Sequence, residues 1–141
     1  MIAAEGAPDV TADGSFQAPH RPQYTALGYV CSRQRTSAFQ PAIGGWYCDT
    51  IYFINRATQT FEAFWTDDPR FSTPNGSHVG LAAAAVAARE HHAVQDGCRR
   101  AVGPLLGHTA KMYLDAGSGN EAPIADIATE SLHHDIGLLF C

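Results

Sequence analysis

The residue types best suited to chemistry in this chain are its seven histidines, the carboxylates beside them and its four cysteines. The histidines are His20, His78, the pair His91-His92, His108 and the pair His133-His134. Neighbouring histidines leave a helix or turn in different directions, so neither pair chelates as an i, i+4 pair does. One member of each pair can still meet the other in space, with Asp135, Glu90 or Asp96 adding an oxygen ligand. His91, His92, His133, His134 and Asp135 are therefore the candidate metal ligands, and the alternative is that they are solvated turn and helix-end residues. A histidine-rich surface also permits association that depends on pH near 6.

The cysteines are Cys31, Cys48, Cys98 and Cys141, with no C-x-x-C among them, which argues against a zinc knuckle or a thioredoxin-type site. An even number fits two disulfides, and such bridges persist mainly outside the cytosol. Three pairings are open. Cys31–Cys48 and Cys98–Cys141 are favoured because each joins neighbouring segments of the expected fold; four buried thiols are the alternative. Cys98, beside Arg99-Arg100, is the one cysteine in a positive setting that a nucleophile requires. No G-x-S-x-G supports a serine hydrolase. The Gly76/Gly80 turn lacks the Lys and the hydroxyl residue of a phosphate-binding loop. No motif requires a cofactor and none is expected. Asn75-Gly76-Ser77 has the N-glycosylation pattern, relevant only in a eukaryotic secretory host.

These residues need a scaffold, and 141 residues with 45% hydrophobic content suffice for one domain. Residues 1–23, rich in Ala, Gly, Pro and Asp, read as a flexible tail or a strap on a domain spanning 24–141. Strand candidates are Gln23–Cys31, Trp46–Ile54 and Thr60–Thr66, then Ala110–Ala116, Ile124–Ser131 and Ile136–Cys141. Trp46–Ile54 is apolar on both sides and so belongs at the centre of a sheet. In Thr60–Thr66 the alternation sets Phe61, Ala63 and Trp65 on one face. Between the two groups of strands, the Pro74-Asn75-Gly76 turn leads into an alanine-rich helix over about 77–95, with Gly97 placed to close it. Ala101–Thr109 reads as irregular. The expected fold is α+β: an antiparallel sheet of about five or six strands covered on one side by a short helix.

The charge balance, −5 with nine Lys and Arg, argues against nucleic acid as a partner. No apolar run approaches the roughly 18 residues of a transmembrane helix. The first residues have neither the basic nor the apolar region of a secretory signal, so the chain is either not exported or has lost its signal. The aromatic residues exceed what one face of a small sheet has to bury. Tyr47, Phe64 and Trp65 are the candidate recognition patch, with Phe64 expected on an outer face.

Residues 68–86, "DPRFSTPNGSHVGLAAAAV", resemble the pattern "rfxTxxGixvGxtxxxv" that joins a hairpin to a helix in many small exported bacterial proteins. The matching positions are Phe71, Thr73, Gly76, Val79, Gly80 and Val86; Ser77 departs from it. Such proteins resemble the β-lactamase-inhibitor-protein-like and small outer-membrane-lipoprotein group. The resemblance implies a short helix against an antiparallel sheet and a binding or envelope role without an active site. The expectation is an extracytoplasmic binding module for a protein or envelope ligand. A small metal-binding protein or hydrolase, and a subunit of a larger assembly, are the alternatives.

Overall fold

The computed structural model describes residues 6–15, 23–37, 39–96, 99–105, 110–115 and 118–129. The fold is α+β: among the described residues, a mostly antiparallel sheet with one short helix. Strands β1 (Val10–Ser15), β2 (Gln23–Ser32), β3 (Ala42–Ile43), β4 (Trp46–Asn55) and β5 (Thr60–Thr66) precede helix α1 (Ala83–Glu90). After it come β6 (Val94–Gln95), β7 (Ala101–Leu105), β8 (Ala110–Leu114) and β9 (Ile124–Thr129). The spatial order is β1-β2-β4-β5-β9-β8-β7-β6, and β3 pairs with β4.

Nine described strands replace the five or six expected. Val10–Ser15, in the segment read as a tail or strap, pairs along its whole length with β2. β3 and β6 have two residues each, too short to carry a readable period. β7 occupies the stretch expected to be irregular; Gly103-Pro104 disguises it, and the ladder shifts register between Val102 and Leu105. The last expected strand, Ile136–Cys141, lies outside the described residues.

β4 is central, as its two-sided apolar sequence requires, with β2 and β5 on its flanks. Ile51 and Phe53 face one cluster, together with Ala26, Ile43, Ala63, Trp65 and Tyr113. Tyr52 faces the other, with Tyr29, Phe64, Met112, Leu114 and Ile127. The turn from β3 to β4 uses Gly44 and Gly45 at φ 56° and 81°, the positive values that a two-residue hairpin needs at both centres.

α1 is shorter than the expected 77–95 at both ends. At its start the backbone is already committed: Gly80 N donates to Ile124 O at 2.9 Å, and Ile124 N donates to Leu81 O at 2.8 Å. The first helical amides, Ala83 N and Ala84 N, donate to the carbonyls of Ala122 and Asn120, so no side-chain cap is needed. At its end His91 adopts the left-handed conformation and His92 N donates back to Ala87 O, terminating the helix before Gly97. Ala83 and Val86 are its buried residues, and it packs over β7 and β6. The small side chains allow this close approach.

Candidate functional site

α1 packs mainly over the β7 and β6 end of its face, and the β4–β5 end of the same face has other neighbours. Here five rings touch in series. Tyr29 and Tyr52 lie 5.7 Å apart edge to face, and Tyr52 and Phe61 6.3 Å apart. Phe61 stacks on Phe64 at 6.4 Å, and Phe64 meets Phe71 at 5.7 Å. Phe61 is 45% exposed, whereas Tyr52 and Phe64 are buried. Beside the rings opens a cavity of about 490 Å³ lined by Thr50, Tyr52, Asp68, Arg70, Phe71 and Ser72. Its charged rim is preset: Arg70 Nε and Nη2 donate to the two Asp68 oxygens at 3.1 and 2.8 Å. Those bonds hold the Asp68 carboxyl below the usual carboxylate range.

Strict alternation puts Phe61 with Trp65 on the other face, so this arrangement requires an irregularity. Phe53 pairs with Ala63 while Ile54 pairs with Phe61, leaving Glu62 as an extra residue. One bulged residue reverses the side on which the preceding residues point. Phe61 thereby joins Tyr52 and Phe64 instead of the Trp65 cluster. The bulge is held by Asn55 Nδ2 donating to Glu62 Oε1 at 3.0 Å.

Behind the opposite face lies a buried polar network. Arg99 donates to both oxygens of Asp126, with Nη1 to Oδ2 at 3.0 Å, and its Nε donates to Leu114 O at 2.8 Å. Trp65 Nε1 donates to Asp126 Oδ2 at 2.9 Å. The Phe39 ring covers the guanidinium, 3.6 Å from centroid to Cζ. Burial raises the Asp126 pKa, and Arg99 opposes that rise. At the end of β5, Asp67 is pushed up to about 7, first by burial and then by the charge of Asp49. Asp49 is itself raised by burial and by Asp68. A carboxyl that titrates near neutrality can exchange a proton under mild conditions.

The expected recognition patch is rearranged. Trp65 is fully buried with its indole bound to Asp126, and Phe64 is 6% exposed instead of lying on an outer face. Tyr47 is half-buried, with the Arg35 guanidinium 5.0 Å from its ring centroid. The exposed anchor is Phe61. The bulge that frees it has no sequence signature, although an aromatic residue two positions beyond the turn was a visible candidate.

Cys31 and Cys48 are bonded, directly opposite one another on β2 and β4, with Cα atoms 4.0 Å apart. The favoured first pairing is thus present. Cys98 and Cys141 lie outside the described residues, as do His133, His134 and Asp135. His91 is the exposed residue that closes α1, and His92 lines a separate cavity with Glu90. Among the described residues no three His, Cys, Asp or Glu side chains gather into a group able to hold a metal ion. Among them, too, no helix is long and apolar enough to cross a membrane. Comparison with protein-family models, curated proteins and solved structures finds no match.

Proposed function

We propose that this protein is a disulfide-stapled binding module acting outside the reducing cytosol, and that it holds a protein partner on the β4–β5 aromatic face. The carrying observation is Phe61: an exposed ring braced by the buried rings of Tyr52 and Phe64. A ring fixed in this way loses little freedom when a partner covers it, which is what makes aromatic residues binding hot spots. The adjoining cavity and its Asp68–Arg70 rim supply the polar border that surrounds the apolar centre of an interface. The Cys31–Cys48 bond is compatible with an extracytoplasmic location. The resemblance of residues 68–86 to exported inhibitor-like domains points the same way, and that segment here connects the sheet to the helix.

A displayed random-peptide library panned on the folded protein tests the reading. Peptides with an aromatic or large aliphatic anchor should be enriched and should bind Phe61→Ser at least tenfold more weakly, while the melting temperature barely changes. Failure to enrich any peptide sensitive to Phe61 rejects the proposal.

A further inference from the structure

A second cavity, of about 320 Å³, lies on the other side of the loop that walls the aromatic cleft. Thr73, Pro74 and Asn75 form one wall, Pro104 and Leu105 of β7 another, and Glu90 and His92 at the end of α1 the third. Leu105 is buried, so the cavity has an apolar flank. Among the described lining residues Glu90 is the one carboxylate.

Glu90 breaks two local rules. It is the last residue of α1, where the carbonyl ends of the helix make the potential negative and an acid is disfavoured. Its Oε2 is also shielded from solvent without a hydrogen-bond partner among the described residues. An acceptor of this kind is costly unless something donates to it. The nearby cation of the same helix is used elsewhere, since Arg89 Nη1 donates to Gly76 O at 3.3 Å. Local rules broken without compensation inside a fold mark functional positions.

We propose that this cavity receives a primary ammonium group on an aliphatic chain, with Glu90 as its counter-ion and Pro104 and Leu105 against its methylenes. The ammonium pairs with the Glu90 carboxylate and offsets both its charge and the helix end. A metal ion suits the cavity less well, because among its described lining residues Glu90 and His92 are the two strong ligands. The inference does not depend on the aromatic face.

The test is a backbone-amide NMR titration of the full chain at pH 7 with n-butylamine, which is charged there, and with n-butanol as the neutral counterpart. Saturable shifts at Thr73, Glu90, His92 and Leu105 are expected with the amine, absent with the alcohol, and at least tenfold weaker in Glu90→Gln. Cadaverine and Nα-acetyl-lysine methylamide then separate the two sources: tighter binding of the first indicates a free polyamine, and of the second a lysine side chain. Equal response to amine and alcohol, or undiminished amine binding by Glu90→Gln, overturns the proposal. So does the absence of any saturable shift at these residues. If Glu90→Gln unfolds, the wild-type amine titration at low and at high salt serves instead, and amine binding that salt leaves unweakened overturns the proposal.

Discussion

Arg99 and Asp126 meet as a two-pronged ion pair inside the fold, their side chains 0% and 1% exposed. Asp126 lies on β9, Arg99 just before β7, and the bonds to Leu114 and Trp65 bring in β8 and β5. The pair therefore ties four elements at one point. Its value is specific geometry, because burying two charges offsets most of their attraction.

Replacing Arg99 by Met leaves Asp126 buried without its cation, which should cost about 3–5 kcal/mol. Urea unfolding measures this, and Arg99→Met with Asp126→Leu should recover much of the loss. A single variant losing less than about 1 kcal/mol would mean that the carboxylate finds solvent or is already neutral.

Asp67 makes the pH dependence specific. Its folded pKa is about 7 and its ordinary value 3.8, so the folded state binds the proton more tightly. Its contribution to stability is full below about pH 4 and is lost as pH rises through 7. Asp67→Asn should remove that slope and, relative to wild type, be more stable by about 1–2 kcal/mol at pH 8, allowing for solvent screening at a half-buried group. The difference between the two unfolding curves from pH 4 to 8 isolates this group from Asp49 and Asp68. Parallel curves would show that Asp67 titrates normally.

The two neighbouring phenylalanines should behave oppositely under calorimetry. Phe64→Ala removes a buried ring and should cost about 3–5 kcal/mol. Phe61→Ser, at a site 45% exposed, should cost about 1 kcal/mol or less. Comparable losses would place Phe61 in the core and remove it as a surface anchor.

The disulfide depends on a glycine beneath it. A Cβ at Gly28 would stand 2.8 Å from Ile43 Cδ1 and 2.9 Å from Cys31 Sγ, and closer still to Cys48 Sγ. Opening the bond by Cys31→Ala with Cys48→Ala should cost about 3 kcal/mol. Gly28→Ala should destabilise the bonded protein more than the Cys-less one, a non-additivity measurable in a double-mutant cycle. Simple additivity would show that the sulfurs move aside freely.

Much of the scaffold is local chemistry and was legible in the chain. The two-sided apolar run Trp46–Ile54 had to be an inner strand, Pro74-Asn75-Gly76 had to turn, and the alanine-rich helix after it had to cover a sheet. Side-chain period and turn conformation depend on neighbours in sequence. Tertiary structure alone decided the rest. The start of the helix follows from Gly80 and Leu81 pairing with Ile124, more than forty residues away along the chain. Phe61 faces the cleft because Glu62 bulges against β4, and Arg99 is buried because Asp126 receives it. Glu90 reads in sequence as an oxygen ligand for the neighbouring histidines or as a solvated helix-end acid, and only the tertiary placement of the 73–75 turn and β7 makes a cavity beside it. Each of these rests on which distant segments share a face, which periodicity along one segment cannot encode.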